Sequence, residues 1–259
     1  MASFDPKAAA AYVAEAHRMR APYRNLPPEI APPTVADAYA AQEALRELWT
    51  PIYGPVRGLK IATTTKVMQE LMGIDHPCGG MIYERRIHQS PAQVRREDFV
   101  NLMVEFELAV RLGTSLPPKG APYTAAEVRA AVAEVMPAFE LIEDRGADYK
   151  STSALSLIAD NAWNGGVVLG APQKVPADLE LNGLQGRLVV NEKDRGSGLT
   201  DNPMGALAWL ANLAVERGRP LDAGMIVITG SVLPTIPVAP GERLVFSLEG
   251  LGDAELSIS

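Results

Sequence analysis

Two glutamates share one face of a short apolar segment. In VEFELAV (residues 104–110) apolar residues alternate with Glu105 and Glu107, and this period of two is typical of a β-strand. Side chains two residues apart on a strand lie roughly 7 Å apart along the chain, so the two charges repel unless something lies between them. Carboxylates at this spacing can close around one cation.

A convincing site for a hard cation needs a third acid. The segment PAFELIEDR offers Glu140 and Glu143. Glu140 is the preferred candidate because it directly follows an apolar, strand-like start, where an inward acid would be isolated unless it were bound. Three carboxylates with positions left open for water or substrate suit Mg²⁺ or Mn²⁺. The alternative is that the glutamates line a solvated sheet face.

Other polar residues lie inside apolar segments. Lys60, alone in GLKIA, could bind a substrate carboxylate or move a proton, or it could simply reach the surface. Asp160 and Asn161 lie between an apolar run and two glycines, so they form a turn or line a pocket. Gly230 and Ser231 end an apolar strand, where free backbone N–H groups can hold an anion, or where the chain simply turns.

The three histidines give little support to hydrolytic chemistry. His17 falls in a predicted helix and His88 in a polar segment, so both are predicted at the surface. His76 precedes Pro77 and could approach a site. No GxSxG motif accompanies them, so a serine-triad hydrolase is not supported.

Composition favours a small-molecule partner. The chain of 259 residues has a net charge of -7 and no cluster of Lys and Arg, which argues against a nucleic-acid surface. The single cysteine, Cys78, excludes an internal disulfide and fits a reducing cytoplasm. No apolar run reaches the roughly 18 residues that span a bilayer, and the Ala-rich start is interpreted as a mature helix.

The pattern of elements predicts an α+β fold in two parts. Helices over residues 6–20 and 34–48 form a small N-terminal region (1–57), and a strand-rich catalytic domain (58–259) follows. Three helices are expected in that domain, over 65–72, 124–135 and 203–217, and residues 156–170 are expected to supply strands. The glycines of GSGLTDNPMG (196–205) do not match GxGxxG, so this segment is predicted to be a loop. The expected sheet is mixed and curled.

Several segments in order carry a family resemblance. GLKIATTTKVMQELMGIDHPCGG, VEFELAVRLG, PAFELIEDR, IADNAWNGGVVLG and AWLANLAVERGRPLDAGMIVITGS resemble the 2-keto-4-pentenoate hydratase and 4-oxalocrotonate decarboxylase family of the fumarylacetoacetate hydrolase superfamily. The resemblance covers nearly the whole chain. It implies a mixed β-sheet roll or barrel like the C-terminal domain of that superfamily, and a homo-oligomer.

The resemblance also implies roles for particular residues. The family's ExE pair falls on Glu105 and Glu107 and its third acid on Glu140, as ligands of Mg²⁺ or Mn²⁺, and its active-site lysine falls on Lys60. The implied reaction is hydration of a 2-hydroxy-2,4-dienoate to a 4-hydroxy-2-oxo acid, in aromatic catabolism, with the metal as Lewis acid. The alternative is decarboxylation of a 2-oxo-enedioate. Candidate substrate contacts are Asp160, Asn161, Gly230, Ser231, His76 and Cys78, and the aromatic Tyr83 and Trp163 line the pocket or belong to the core.

Two departures from the family pattern bear on the reaction. Cys78 stands where hydratases of the family usually carry an aspartate, and Ala62 replaces an expected glycine. An acid that could handle the water proton is therefore missing, unless His76, Asp75 or Cys78 itself takes its place. The departure motivates a further alternative, a non-catalytic partner subunit that binds 2-oxo acids. C–C hydrolysis of an acylpyruvate is less supported, because no histidine is placed beside the third ligand.

Overall fold

The computed structural model describes residues 4–176 and 179–259. Its helices begin where the sequence offers caps: the hydroxyls of Thr34, Thr65 and Thr124 each accept a backbone N–H of the first turn. The six helices of the described chain are α1 (Pro6–Arg18), α2 (Val35–Tyr53), α3 (Lys66–Met72), α4 (Ala125–Ala131), α5 (Ala154–Ala159) and α6 (Pro203–Glu216). In this part of the chain, no helix combines the length and the apolar character needed to cross a membrane.

The strands form two open sheets. The larger has the order β2-β1-β11-β5-β6-β7-β3, with β12 beside β5 and β8 beside β6, and the smaller has the order β10-β9-β13-β14-β4. The strands are β1 (Val56–Ala62), β2 (Cys78–Tyr83), β3 (Ile87–Gln89), β4 (Ala92–Val94), β5 (Leu102–Leu112), β6 (Val132–Glu143), β7 (Asn164–Leu169), β8 (Gln173–Lys174), β9 (Gln185–Val190), β10 (Lys193–Leu199), β11 (Ile226–Ser231), β12 (Ile236–Pro237), β13 (Arg243–Leu248) and β14 (Gly252–Ile258).

The main core lies between the two sheets. Phe106 of β5 and Phe139 of β6 are cross-strand partners, and both rings lie within about 6.2 Å of Phe246 on β13. All three side chains are fully buried, and aromatic contacts at this distance stabilise beyond their buried area. Because side chains alternate along a strand, the residues on either side of Phe106 point to the opposite, inner face of the larger sheet.

That inner face is enclosed because the larger sheet curls. Strands β2 and β7, far apart in the order of pairing, approach each other. The side-chain amide of Asn161, just before β7, donates to the carbonyl of Met81 and accepts from its N–H. The predicted α+β class and mixed roll are thus confirmed, although neither sheet closes into a barrel.

The two N-terminal helices pack against each other and against β2. Trp49 of α2 contacts the rings of His17 and Tyr83 edge to face, at centroid distances of 5.0 and 5.8 Å. Tyr83 therefore belongs to this helical core and does not line the cavity beside Lys60. The boundary between residues 57 and 58 falls inside β1, and the two-part division stays a prediction.

Three predictions of secondary structure were wrong. The helix expected over 124–135 ends at Ala131, because the β-branched Val132 begins strand β6. The start of 156–170 is helical, in α5, and only its second half forms β7. Residues 193–199 form strand β10, so the predicted loop over 196–205 is partly a hairpin strand. In addition, α2 continues to Tyr53, through Pro51.

Candidate metal centre

Neighbouring strands bring the candidate site residues together on the inner face. Lys60 lies on β1, Gly230 on β11, Glu105 and Glu107 on β5, and Glu140 on β6, and these four strands are adjacent in the sheet. The register pairs Glu105 directly with Glu140. Like charges directly opposite each other on neighbouring strands destabilise a sheet. The arrangement is therefore costly unless a cation offsets the repulsion.

The three carboxylates have the geometry of a cation site. One oxygen from each of Glu105, Glu107 and Glu140 lies within 4.8 Å of the others. Glu107 and Glu140 are fully buried. Among the described residues, Oε1 of Glu107 and Oε2 of Glu140 have no hydrogen-bond partner. Buried unpaired carboxylate oxygens are expensive unless they coordinate a metal. An all-oxygen donor set of this kind fits a hard divalent cation such as Mg²⁺ or Mn²⁺.

The third acid is Glu140 and not Glu143. Glu143, three residues further along β6, is also buried, but its two oxygens accept the backbone N–H groups of Val100 and Asn101 at 2.9 and 3.0 Å. Its carboxylate holds the start of β5 and does not belong to the triad.

Gly230 and Ser231 contribute to the site differently from the prediction. The N–H of Gly230 donates to Glu107 Oε2 at 2.6 Å, so it is already occupied and positions a carboxylate. The left-handed φ of +116° at Gly230 suits glycine and aims this N–H. Ser231 Oγ accepts the N–H of Phe106 at 3.1 Å and donates to the carbonyl of Leu233 at 2.8 Å. Both residues line the cavity described below.

Two further positioning residues were missed from the sequence. Thr235 Oγ1 donates to Glu105 Oε1 at 2.6 Å, and Asn164 Nδ2 donates to Glu140 Oε1 at 2.8 Å. Asn164 carries a weak signal, as a polar residue at the start of an apolar strand. Thr235 follows a proline in an irregular segment, and nothing in its sequence context distinguishes it.

Lys60 is buried beside the triad. Its side chain is 2% exposed, and Nζ lies 3.1 Å from Glu140 Oε1, so the alternative of a lysine that reaches the surface was wrong. Burial lowers the pKa of this ammonium, but the carboxylates of Glu140, Glu105 and Glu107 more than offset that effect, so the pKa is raised. Lys60 pairs across the sheet with Gly80, where a Cβ would lie 2.7 Å from the backbone carbonyl oxygen of Asn161 and 3.0 Å from the lysine Cγ. A glycine is needed there.

The buried acids hold protons more strongly than usual. Burial raises the pKa of Glu140 to about 7, although Lys60 partly offsets this effect. Burial also raises the pKa of Glu107 well above its usual range, with a further contribution from Glu105. A carboxyl group must lose its proton before it coordinates a cation.

Cation binding at this site is expected to depend on pH. The affinity for Mg²⁺ should fall as the pH drops through about 7, because protons then compete for Glu140. Calorimetric titration on either side of neutrality, in buffers of different ionisation enthalpy, should show protons released on binding. An affinity that does not change with pH would contradict this assignment.

The stability of the metal-free chain should fall as the pH rises, whereas the affinity for Mg²⁺ should increase. Because the folded-state pKa of Glu140 is raised from 4.5 to about 7, the folded chain holds a proton that the unfolded chain has released within this window. The contribution of this carboxyl to the free energy of unfolding is full below pH 4.5 and is lost as the pH rises to about 7. Chemical denaturation with a chelator present measures it.

A cavity of about 470 Å³ opens beside the triad. Trp163 lines it, and its ring lies edge to face against Tyr23 and Tyr149 at 5.1 and 5.2 Å. Asn161, Ala162 and Trp163 all have left-handed φ values, a costly conformation for residues other than glycine that clusters at functional sites. The lining residues are Lys60, Ile61, Ala62, Thr63, Thr64, Thr65, Met68, Met72, Glu105, Ile142, Tyr149, Leu157, Ala162, Trp163, Gly230, Ser231, Val232, Leu233, Pro234 and Thr235.

Asp160 and Asn161 do not line this cavity, contrary to one of their two interpretations. Asp160 is 2% exposed. Its carboxylate accepts a hydrogen bond from Arg145 Nη2 at 2.5 Å, and its other oxygen lies 2.7 Å from His17 Nε2. Its carboxylate is thus fully engaged in tying α1 to the sheet domain. Asn161 makes the two hydrogen bonds to Met81 described above.

Asp160→Asn is therefore expected to destabilise the fold without altering cation binding. Removing one partner of a buried ion pair costs about 3 to 5 kcal/mol, because the other charge stays buried. Thermal unfolding should show the loss, while calorimetry should give the wild-type affinity for Mg²⁺. If the folded variant instead lost much of its affinity for Mg²⁺, Asp160 would have to be counted among the residues that support cation binding.

The histidines and Cys78 also differ from their predicted places. His17 is half-buried and bonded to Asp160, and His88 is half-buried in β3, so neither is the surface residue expected. His76 Nδ1 lies 2.7 Å from the carbonyl of Pro77, and its ring stacks at 6.5 Å on Trp209, outside the cavity lining. Cys78 is fully buried, and burial raises the pKa of its thiol, so it is a neutral group and a poor base.

Known proteins resemble this chain over most of its length. No protein-family model matches it. The 2-keto-4-pentenoate hydratase 2 of Dechloromonas aromatica is 31% identical, over 96% of this chain and 95% of that protein. The 4-oxalocrotonate decarboxylase of Pseudomonas sp. strain CF600 is 30% identical, over 84% of this chain and 83% of that protein.

A solved structure shares the fold. The 4-oxalocrotonate decarboxylase of Pseudomonas putida G7, complexed with magnesium and adipate, superposes with a TM-score of 0.88 over 98% of this chain and 97% of that chain, at 25% identity. The sequence relatives carry the two activities that the resemblance implied. The chain belongs to the family of 2-keto-4-pentenoate hydratases and 4-oxalocrotonate decarboxylases, and its fold is that of the fumarylacetoacetate hydrolase superfamily.

Proposed function

We propose that this protein is a metal-dependent hydratase that converts a 2-hydroxy-2,4-dienoate into a 4-hydroxy-2-oxo acid. The observation that carries the proposal is the triad of Glu105, Glu107 and Glu140 beside Lys60, with Glu107 and Glu140 fully buried. The named hydratase from D. aromatica, at 31% identity over almost the whole chain, supports the choice of reaction.

The three carboxylates would hold one divalent cation, Mg²⁺ or Mn²⁺. When bound, such an ion supplies a Lewis acid for the carboxylate and C2 oxygen of a 2-oxo acid. Each acid is held in place by a neighbour: Gly230 orients Glu107, Thr235 orients Glu105, and Asn164 orients Glu140. Their fixed orientation reduces the reorganisation needed when charge develops on the substrate.

Lys60 is assigned the movement of a proton along the carbon chain of the substrate. Its ammonium lies at the end of the cavity beside the triad, where it can donate to a carbon of the dienol or orient the substrate carboxylate.

Decarboxylation of a 2-oxo-enedioate is the second candidate, and one observation favours it. Hydration needs a group that handles the proton of the attacking water, whereas loss of CO2 does not. Cys78, at the position of the missing acid, is buried and neutral, and neither His76 nor Asp75 lines the cavity. A non-catalytic subunit that binds 2-oxo acids would show the same features.

Turnover assays separate these functions. The protein with Mg²⁺ and 2-hydroxypenta-2,4-dienoate should bleach the dienol absorbance and yield 4-hydroxy-2-oxopentanoate. Release of CO2 from a 2-oxo-enedioate without hydration of any dienoate would favour the decarboxylase. Mg²⁺-dependent binding of oxalate without any turnover would favour the partner subunit.

The homo-oligomeric state and the cytoplasmic location of the protein remain predictions.

A further inference from the structure

The two ends of the cavity differ in chemistry. The end at the triad is polar, with Lys60 and Glu105. A second part of the lining, called the far wall below, consists of Met68 and Met72 of α3 together with Leu157 and Trp163, side chains of one apolar cluster that includes neither Lys60 nor the triad. A 2-oxo acid held at the polar end must extend its carbon chain toward this apolar wall.

The far wall offers no counter-ion for a negative charge; its one side-chain N–H donor is the neutral indole of Trp163, which has no hydrogen-bond partner among the described residues. Among the described residues that line the cavity, Lys60 is the one cation and Glu105 the one acid. Lys60 is already paired with Glu140 at 3.1 Å and lies at the opposite end. A second carboxylate on the substrate would therefore be placed against methionine and tryptophan side chains without a counter-ion, which is strongly unfavourable.

The size of the cavity also favours a substrate that carries an apolar substituent. Its volume of about 470 Å³ falls in the range of pockets that bind drug-sized ligands, roughly 300 to 1,000 Å³. A five-carbon dienoate would fill only part of this volume. Methionine side chains are flexible and polarizable, so a wall that contains Met68 and Met72 can adapt to an alkyl or aryl group.

We infer that the substrate carries an uncharged apolar substituent, alkyl or aryl, at the end remote from its 2-oxo acid group, and that this protein discriminates against dicarboxylates. Met68, Met72, Leu157 and Trp163 are the residues that determine this specificity. The inference rests on the proposed function for the orientation of the substrate, and it favours hydration of a monocarboxylate over decarboxylation of an enedioate.

The test uses two stable ligands that differ only at the remote end. 2-Oxohexanoate ends in a methyl group, and 2-oxohexanedioate ends in a carboxylate. With saturating Mg²⁺, calorimetry should show that the methyl-terminated ligand binds at least about tenfold more tightly. Lengthening 2-oxobutanoate to 2-oxohexanoate should raise the affinity by up to about fourfold for each methylene buried. Equal or tighter binding of the dioate would overturn the inference.

A substitution at the far wall is expected to reverse the preference for the methyl-terminated ligand over the dioate. Met68→Arg places a cation at the far wall and should improve binding of the dioate by about tenfold or more while weakening that of 2-oxohexanoate. Val67→Arg is the matched control: it adds the same charge to the same helix, but Val67 is 73% exposed and lies outside the cavity lining. If both variants shift the preference equally, long-range charge and not the wall is responsible, and the assignment of Met68 is overturned.

Failure of the inference can be told apart from failure of the proposed function. If the dioate binds as well as 2-oxohexanoate while the dienoate is still hydrated, only the inferred specificity is wrong. If neither ligand binds in the presence of Mg²⁺, and no dienoate is turned over, both are overturned. The ligand comparison uses the wild-type protein, so it does not depend on the folding of any variant.

Discussion

Glu107→Gln is expected to weaken Mg²⁺ binding by at least about a hundredfold. Changes that only disturb the neighbours of a metal ligand already cost ten- to a hundredfold in affinity, and this substitution removes the charge of a proposed ligand itself. Glutamine keeps the shape of the side chain, and its oxygen can still accept the N–H of Gly230 that now bonds Glu107 at 2.6 Å. Calorimetric titration with Mg²⁺ measures the loss, and turnover of the dienoate should fall with it.

The same substitution should leave the metal-free protein at least as stable as the wild type. Three carboxylates within 4.8 Å of one another repel, and Glu107 is fully buried, so a neutral amide relieves an unfavourable interaction. Wild-type protein should gain melting temperature on adding Mg²⁺, since a ligand at 100 times its dissociation constant adds about 2.7 kcal/mol. The variant should gain almost none at that concentration.

Glu143→Gln is the matched control, on the same strand. Its carboxylate holds the N–H groups of Val100 and Asn101 and lies outside the triad. It should lose stability but keep its affinity for Mg²⁺. If instead Glu107→Gln bound Mg²⁺ like the wild type, the cation site and the enzymatic proposal built on it would both be wrong.

The sequence predicts most reliably the features that follow from the periodicity of a single strand. The alternation around Glu105 and Glu107 follows from the period of a strand, and the register then places Glu140 opposite Glu105. The isolated lysine in GLKIA became a buried Lys60, because a charge in the middle of a central strand has no route to water. The alternation depends on residues close in the chain and could be predicted, whereas the register and the burial of Lys60, which the sequence left open, depend on the pairing of separate strands.

Predictions failed where distant parts of the chain decide the outcome. Asp160 is bound by His17, 143 positions away, and no local pattern reveals such a pair. The hydroxyl of Thr235 reaches Glu105 across 130 positions for the same reason. Residues 132–135 have a sequence that suits either helix or strand, and pairing along β5 decides for the strand.

Lys60→Ala is expected to reduce the turnover number by about 10² to 10⁴, the usual contribution of a positioned acid or base. Removing the ammonium also leaves Glu140 without the partner that now lies at 3.1 Å. The pKa of Glu140, already raised to about 7 by burial, should then rise further. Part of the loss could therefore come from weaker Mg²⁺ binding, so the assay must be run at saturating Mg²⁺ and above neutral pH.

Chemical rescue decides whether the lysine moves a proton or only supplies charge. The truncation leaves space beside the triad and next to the cavity, where a small primary amine can enter. Ethylamine should restore part of the turnover of Lys60→Ala in proportion to the concentration of the amine. Lys60→Arg retains the charge, but a guanidinium remains protonated and cannot exchange its proton, so it should stay inactive. Activity near wild type in Lys60→Arg would mean that the positive charge alone is needed, and the role of proton donor would have to be given up.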